Sequence, residues 1–399
     1  MKTKKLLALI CAAVLTFAAV GCGEGKNDKN NDKADSSAAA KEDIMTGTAL
    51  NATNSKLVGR THSTEDGTLW CALSGSGAAF DFKGKDLSVT IKGDSVASSG
   101  NADNYARVAV YVDGERVVDE MIDEPEKTFS VISSDSEAEH QVQVIKLSET
   151  AMSTIGIAPL ELEEGAAITP AAPKAHRIEF IGDSITCGYG VDDEDKEHHF
   201  KTSTEDVTKA YAYKTAQALD ADYSMFSISG WGIISGYSDD GKKHEDQTIP
   251  QYYSKLGFSY GSFPDGAPQD MDWDFSLYTP DVVVINLGTN DASYVTGKTD
   301  RKRDYTDTYK TFIAEIREKY PDAVIIMSLG IMGTELYSSV EDAWYEYQKE
   351  TGDQNIYAFR FDPQDGANDG YAADWHPTET THTKASAALA EYIKEVMGW

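Results

Sequence analysis

Short stretches in which apolar and polar residues alternate fill the chain between residues 46 and 164. One of them covers residues 87–91, and another covers residues 108–112 and ends at the turn dipeptide Asp113-Gly114. Alternation with a period of two is typical of strands that bury one face. Because such strands repeat without a convincing helical pattern between them, we expect residues 46–164 to form a β-sandwich, as a jelly-roll domain.

Beyond residue 175 the periodicity changes, and apolar strand candidates alternate with helical segments. The strand candidates are residues 177–181, 223–228, 281–287, 323–328 and 356–361. Residues 282–287 are almost continuously apolar, as expected of a strand that is buried on both faces of a parallel sheet. The sequence therefore predicts a three-layer α/β/α domain with a parallel sheet over residues 176–399, joined to the first domain by a linker at residues 165–175.

Two of the intervening helices have clear signals. Residues 206–219 follow a capping pattern formed by Ser203 and Asp206. A second helix is indicated by an apolar stripe that ends before Pro321. This stripe consists of Tyr309, Phe312, Ile313, Ile316 and Tyr320.

The first 45 residues have a different character. Residues 1–5 are basic, and residues 6–20 form an apolar run that is too short for an ordinary transmembrane helix. This layout is typical of a secretory signal peptide, which we expect over residues 1–21. Residues 22–45 are polar and lack an apolar period, so they are expected to form a flexible tether.

Composition and charge narrow the class of function. Hydrophobic residues make up 41% of the chain and charged residues 26%, proportions that fit a folded protein and not a disordered one. The net charge of -30 argues against a nucleic-acid partner, because such binding depends on clustered Lys and Arg. A neutral substrate such as a sugar polymer agrees better with this charge.

Four polar blocks lie where open α/β sheets place their ligands, beyond the carboxyl ends of strands or late in the chain. They are Gly182-Asp183-Ser184, Ser229-Gly230-Trp231-Gly232, Gly288-Thr289-Asn290-Asp291 and Asp374-Trp375-His376-Pro377. Ser184 is the candidate nucleophile and His376 the candidate base, because a serine attacks an ester only when a neighbouring group takes its proton. Taken alone, Ser184 would equally suit a helix cap, and His376 would suit a surface position before the C-terminal helix.

The order of these blocks resembles the four motif blocks of SGNH (GDSL-type) hydrolases. The run from Arg177 to Gly190, the block from Asp374 to Pro377 and the β-rich first domain with its Ser74-Gly75-Ser76-Gly77 segment resemble the acetyl esterases of carbohydrate esterase family 2. The resemblance covers about residues 46–399. It implies a serine esterase that removes acetyl groups from plant cell-wall polysaccharide, such as xylan or mannan, without a cofactor or a metal.

The resemblance also implies roles for individual residues. The backbone amides of Ser184 and Gly230 and the side-chain amide of Asn290 would form the oxyanion hole. In the usual pattern an aspartate stands three residues before the histidine, but that position is Ala373 here. Asp374 is therefore the candidate acid that orients the histidine, and a backbone carbonyl is the alternative.

Two tryptophans stand next to the catalytic blocks. Trp231 and Trp375 are candidates for contact with a sugar ring, because aromatic faces suit the apolar faces of sugars. Packing within the protein is the alternative for each of them.

Other functions are weighed against this one. Residues 194–199 (Glu-Asp-Lys-Glu-His-His) suggest a metal-dependent deacetylase, but adjacent histidines diverge on a strand or a helix, and the sequence has no His-x-x-x-His spacing. A non-catalytic sugar-binding lipoprotein is a second alternative, and a GDSL esterase or lipase that acts on other short-chain esters is a third.

The end of the signal peptide carries a further resemblance. Residues 19–22 (Ala-Val-Gly-Cys) are similar to the lipobox of bacterial lipoproteins, in which the cysteine is lipidated and becomes the new N-terminus. The resemblance implies a protein on the extracellular face of a bacterial cell membrane, held there only by a lipid on Cys22. A plain signal peptidase site is the alternative.

Overall fold

The structure is a computed structural model, and it describes residues 47–399. The predicted signal peptide, most of the predicted tether and Cys22 lie outside the described residues. Within the described part of the chain, no helix combines the length and the apolar character needed to cross a bilayer.

The N-terminal domain, residues 47–170, is built on a sheet of nine antiparallel strands. They are β1 (Lys56–Val58), β2 (Thr61–Ser63), β3 (Leu69–Cys71), β4 (Gly77–Gly93), β5 (Ala106–Val112), β6 (Glu115–Ile122), β7 (Glu126–Lys146), β8 (Ile155–Ile157) and β9 (Ala167–Pro170). The order across the sheet is β2-β3-β8-β4-β7-β5-β6, and β1 and β9 also pair with β4.

The long strands β4 and β7 pair with each other and organise this domain. Leu87, Val89 and Ile91 are at most 1% exposed, so the predicted apolar face of this stretch is confirmed. The register between the two strands shifts twice within residues 84–88, and such irregularities bend a strand pair. Apolar residues from both halves of β4 share one core, so the sheet curves around a single apolar interior, as expected of a β-sandwich.

The segment expected to be a linker differs from the prediction. Residues 167–170 form strand β9, which pairs with residues 80–83 of β4. Pro170 is tolerated because β9 is an edge strand, where a missing N–H breaks no ladder. The sheet therefore extends into the expected linker.

The C-terminal domain, residues 176–399, contains a parallel sheet of five strands. They are β10 (His176–Gly182), β11 (Ala221–Ser227), β12 (Val282–Asn286), β13 (Val324–Leu329) and β14 (Ile356–Arg360), in the order β11-β10-β12-β13-β14. All five strand predictions are confirmed to within one or two residues. All five residues of β12 are buried, as its continuous apolar run predicts.

Helices cover both faces of this sheet. They are α1 (Ser184–Cys187), α2 (Tyr211–Ala218), α3 (Ile249–Tyr252), α4 (Thr289–Val295), α5 (Thr299–Lys319), α6 (Tyr337–Thr351) and α7 (Glu379–Met397). Val283 and Ile285 of β12 pack with α5 and α6, whereas Val282 and Val284 pack with α2 and α7. The predicted three-layer α/β/α arrangement is confirmed.

One helix begins later than predicted. Residues 207–209 form a 3₁₀ turn, and α2 starts only at Tyr211. The side chain of Asp206 caps the turn by accepting a hydrogen bond from the Thr208 amide at 3.0 Å. The predicted Ser203 cap is therefore wrong, because the chain uses the next acidic residue to begin a different element.

A buried arginine links the two domains. Arg60, in the N-terminal domain, is 1% exposed, and its Nη1 donates hydrogen bonds to the carbonyl oxygens of Tyr253 (2.6 Å) and Lys255 (2.5 Å). Its Nη2 lies 3.4 Å from Glu179 Oε1, and the guanidinium lies 4.5 Å from the centre of the Phe226 ring. These partners all belong to the C-terminal domain, so the two domains share a core.

Candidate active site

Ser184 lies where strand β10 turns into the short helix α1. Asp183 caps this helix, since its Oδ1 accepts a hydrogen bond from the Ile185 amide at 3.0 Å. Glycine is required at position 182, because a Cβ there would lie 2.0 Å from Thr186 Oγ1. Ser184 is the first helical residue, so its amide has no acceptor within the helix. The turn thus presents a hydroxyl and an amide at the carboxyl edge of the sheet.

The imidazole of His376 lies beside Ser184, although 192 positions separate them in the sequence. His376 Nε2 is 2.9 Å from Ser184 Oγ, within reach for transfer of a proton. His376 follows a 3₁₀ turn, Ala373–Trp375, in which Asp374 (φ 49°) and Trp375 (φ 59°) are left-handed. These two residues redirect the chain just before His376.

At Asp374 the structure differs from the prediction, because its carboxylate is turned away from His376. His376 Nδ1 lies 3.2 Å from the carbonyl oxygen of Ala373 and 3.2 Å from the carbonyl oxygen of Asp374. The left-handed backbone at Asp374 points its carbonyl at the ring and its side chain elsewhere. The orienting group is therefore the backbone, which was the alternative to a carboxylate.

The Asp374 carboxylate instead holds the loop that precedes the turn. Tyr189 Oη donates to its Oδ2 at 2.7 Å and the Phe200 amide donates to the same oxygen at 3.0 Å, while His199 Nδ1 lies 2.9 Å from Oδ1. The Tyr189 ring also stacks on the His376 imidazole, with ring centres 3.9 Å apart. Tyr189 is a residue that the sequence reasoning missed. Its position between two glycines, five residues after Ser184, was the available signal.

Burial sets the protonation of the two histidines near the site. Burial lowers the pKa of His376 from 6.5 to about 4, and the carbonyl of Ala373 and the charge of Asp374 oppose that shift. The ring is therefore neutral at neutral pH, the form that accepts a proton. His382 is fully buried in α7 and accepts a hydrogen bond from the Tyr211 amide at 3.1 Å, which gives it a structural role at the start of α2.

The three predicted oxyanion donors belong to segments that meet beside the nucleophile. Gly230 has a φ of 80°, and its amide has no hydrogen-bond acceptor among residues 47–399. Asn290, in the first turn of α4, donates through Nδ2 to the Trp231 carbonyl at 2.8 Å and to Asp183 Oδ2 at 3.3 Å. The longer contact leaves one amide hydrogen weakly engaged beside Ser184, where an oxyanion would form.

Comparison with known proteins agrees with this geometry. Residues 57–172 match a family described as carbohydrate esterase 2 N-terminal, and residues 180–384 match the GDSL-like lipase/acylhydrolase family. A solved structure of a family two carbohydrate esterase from Clostridium thermocellum, in complex with cellohexaose, is 31% identical with a TM-score of 0.73. That match covers 86% of this chain and 99% of the other. The chain belongs to carbohydrate esterase family 2.

Two further relatives of this family 2 esterase differ in how much of their length it spans. Cellulase/esterase CelE from Acetivibrio thermocellus is 33% identical over 82% of this chain, but the match covers 38% of CelE. An acetylxylan esterase / glucomannan deacetylase from Cellvibrio japonicus is 28% identical, over 86% of this chain and 89% of that protein. The chain therefore spans less than half of CelE and most of the Cellvibrio protein.

In this family 2 esterase a single carboxylate fixes the loop after Gly230. Asp291 Oδ1 accepts hydrogen bonds from the amides of Ile234 (2.7 Å), Ile233 (3.0 Å) and Ser235 (3.2 Å), and Oδ2 accepts from Ile233 at 2.9 Å. Asp291 is fully buried, and burial raises its pKa to about 6 although the amides act in the opposite direction. The sequence reasoning quoted Asp291 within its block but gave it no role.

The two predicted sugar-binding tryptophans have different surroundings in the esterase. Trp231 is 4% exposed and packs against Tyr252 and Phe258, with ring centres 5.1 and 4.7 Å away. The prediction of Trp231 as a substrate contact is therefore wrong, because its side chain fills the core while its carbonyl accepts from Asn290. Trp375 is 44% exposed beside the catalytic histidine and keeps a free aromatic face.

The histidine pair at the end of residues 194–199 diverges, as the sequence predicts. His198 Nδ1 lies 2.9 Å from Asp193 Oδ2, while His199 pairs with Asp374. Both imidazoles are exposed and face different carboxylates. They do not converge on a common point, which the binding of one metal ion by both would require.

Proposed function

We propose that this chain is a serine esterase that removes O-acetyl groups from plant cell-wall polysaccharides, acetylated xylan or mannan. The observation that carries the proposal is the 2.9 Å contact between Ser184 Oγ and His376 Nε2 at the carboxyl edge of the sheet. The names of the Cellvibrio relative and of the family 2 structures support a carbohydrate ester as the substrate class. The exposed Trp375 offers a face on which a sugar ring can stack.

In the proposed mechanism His376 accepts the proton of Ser184 as Oγ attacks the acetyl carbonyl carbon. The negative charge that develops on the carbonyl oxygen is stabilised by the amides of Ser184 and Gly230 and by Asn290 Nδ2. His376 then returns the proton to the sugar oxygen, which leaves as an alcohol. Water attacks the acetyl-enzyme with His376 again as the base, and acetate is released.

Two backbone carbonyls prepare His376 for this work. Because both accept at Nδ1, that nitrogen carries the hydrogen in the neutral ring, and Nε2 is left free to accept from Ser184. The carbonyls also stabilise the imidazolium that forms during attack. They therefore perform the task that a carboxylate performs in a triad.

Hydrolysis of 4-nitrophenyl acetate and release of acetate from acetylated xylan test the proposal. Ser184→Ala and His376→Ala are each expected to lower kcat by about 10⁴-fold or more, and a chelator is expected to leave the rate unchanged. Absence of hydrolysis by the folded parent chain would favour a non-catalytic binder. Loss of activity on chelation would favour a metal-dependent mechanism.

A substrate panel tests the specificity. Acetate release from acetylated xylan, acetylated glucomannan and triacetin is compared at equal acetyl concentration. A higher kcat/KM on the polysaccharides is expected if the sugar contacts the protein, and Trp375→Ala should reduce this preference. A higher kcat/KM on triacetin would instead point to a general short-chain esterase.

We further propose that Cys22 is lipidated and anchors the protein on the outer face of a bacterial membrane. The basic start, the apolar run and the Ala-Val-Gly-Cys ending of residues 19–22 support this proposal. Expression in bacteria with labelled palmitate should give labelled protein in the membrane fraction, and Cys22→Ala should remove the label. A parent chain without label would contradict the anchor.

A further inference from the structure

A cluster of ionisable side chains is buried where the two domains meet, behind the candidate active site. Lys146, Glu149, Cys187 and Glu205 are each at most 1% exposed. Carboxyl oxygens of the two glutamates and Cys187 Sγ all lie within 4.8 Å of one another. A buried charge is costly unless partners compensate it, so such a cluster requires an explanation.

Glu149 connects this cluster to the candidate oxyanion loop. Its Oε2 accepts a hydrogen bond at 3.2 Å from the amide of Ser229, the residue directly before Gly230. Its own amide donates to Glu205 Oε2 at 2.6 Å. Glu149 follows β7 and belongs to the N-terminal domain, whereas Ser229 and Glu205 belong to the C-terminal domain. A side chain of one domain therefore holds the backbone beside a proposed oxyanion donor of the other.

The same cluster contacts the helix that carries the nucleophile. Cys187 is the last residue of α1, and Ser184 is the first. Cys187 Sγ donates to Ser227 Oγ at 3.2 Å, and Ser227 ends strand β11 two residues before Ser229. The two backbone segments that supply the proposed oxyanion amides thus meet at this cluster.

The charges of the cluster are balanced internally. Lys146 Nζ donates to the carbonyl oxygens of Ser148 and Glu149, both at 2.7 Å, and burial lowers the pKa of Lys146 to about 8. Burial raises the pKa of Glu149, and burial followed by the charge of Glu149 raises the pKa of Glu205 well above its usual value. One carboxyl group therefore keeps its proton, and Lys146 neutralises the other.

We propose that Glu149 is a positioning residue, supplied by the N-terminal domain, that holds the Ser229-Gly230 backbone so that the Gly230 amide meets the developing oxyanion. Glu149 acts through Ser229 and does not touch the substrate. The inference rests on the proposed esterase function. Because an oxyanion contact forms only in the transition state, displacing this amide lowers kcat while KM stays nearly constant.

Two variants with side chains of similar length isolate the hydrogen bond. Glu149→Gln removes the charge and keeps an oxygen that can accept from the Ser229 amide. Glu149→Met removes the charge and the acceptor while filling the same space. The matched control is Lys56→Ala, which breaks the 2.7 Å ion pair between Lys56 and Asp222. That pair also joins the two domains, but Asp222 lies near the start of β11, at the opposite end of the sheet from Ser184.

The kinetic constants for acetate release are the readout, with near-ultraviolet circular dichroism as the check on folding. Glu149→Met is expected to lower kcat at least tenfold with KM within about twofold of the parent, because one oxyanion donor is displaced. Glu149→Gln and Lys56→Ala are expected to keep kcat within about threefold. Where Glu149→Met does not fold, Glu149→Asp, which withdraws the acceptor by about 1.5 Å, takes its place.

Three results would overturn the inference. One is a kcat near the parent value in folded Glu149→Met or Glu149→Asp, and another is a tenfold loss in Glu149→Gln, which keeps the acceptor. The third is an equal loss in Lys56→Ala, which would indicate general loosening of the domains. A parent chain without esterase activity would instead contradict the proposed function, so the two failures are distinguishable.

Discussion

At the scale of single residues, the orientation of His376 decides what a change at Asp374 should do. Two carbonyls hold the ring, and the carboxylate of Asp374 is engaged with the Tyr189 hydroxyl and with His199. Asp374→Asn should therefore lower kcat by less than about tenfold, whereas loss of a true triad carboxylate costs about 10⁴-fold. Steady-state kinetics with 4-nitrophenyl acetate measure the effect, with His376→Gln as the inactive comparison. A loss of 10³-fold or more would restore Asp374 to a triad role.

The pKa of His376 predicts the acid limb of the pH profile. Burial disfavours the imidazolium and lowers the pKa to about 4, so the ring stays neutral and able to accept a proton down to acid pH. The value of kcat/KM should stay near its plateau at pH 6 and fall only as the pH approaches about 4. Rates measured from pH 3.5 to 8 check this, with circular dichroism to show that the protein is folded throughout. A midpoint at 6.5 or above would mean that the ring is not desolvated in solution.

Residue identities were easier to predict than side-chain directions. The strand-end blocks predicted Ser184 and His376 correctly as neighbours, because carboxyl ends of parallel strands meet at one edge. The direction of the Asp374 carboxylate depends on a left-handed backbone that no local signal announces. The burial of Trp231 depends on aromatic neighbours more than twenty positions away, Tyr252 and Phe258.

At the scale of elements, the loop after β11 is shaped by the first turn of α4. The Asp291 carboxylate accepts four hydrogen bonds from residues 233–235. A side chain at Gly232 would clash with it, since a Cβ there would lie 2.4 Å from Asp291 Oδ2. The carboxylate and the missing side chain therefore fix the path of the chain between Gly230 and the rest of the site.

Replacement of Asp291 should weaken both the fold and the rate. In Asp291→Asn an amino group replaces one acceptor oxygen and leaves buried backbone amides unpaired, at a cost of about 1 to 3 kcal/mol in the free energy of unfolding. The displaced loop should also lower kcat. Urea denaturation and steady-state kinetics measure the two effects. The control is Asp274→Asn, at an exposed position where the carboxylate caps a short 3₁₀ turn. Equal effects of the two substitutions would contradict this view of Asp291.

At the scale of the whole molecule, the two domains fold around shared interior residues. The buried core next to α2 and α7 includes Val58, Ala79 and Leu147 from the N-terminal domain. Arg60 enters the C-terminal domain from the same side and is enclosed by its aromatic rings. The domains are therefore expected to unfold together in one transition.

Arg60→Met tests this coupling. The substitution leaves the carboxylate of Glu179 buried without its cation, which should lower the free energy of unfolding by about 3 to 5 kcal/mol. Lys83→Met, which breaks the exposed ion pair with Glu137, should change it by less than about 1 kcal/mol. Urea denaturation followed by fluorescence and by circular dichroism gives both values. Two separate transitions in the parent chain, or a small effect of Arg60→Met, would show that the domains are independent.

The sequence by itself determined the elements and the identity of the chemistry. Period-2 and continuous apolar runs record which faces of a strand are buried, and the turn residues after each strand record where a ligand can approach. Only the tertiary structure decided which group orients His376, which tryptophan stays exposed and that Glu149 reaches the oxyanion loop from another domain. Those features depend on backbone direction and on contacts between distant segments, and local patterns of hydrophobicity carry no information about either.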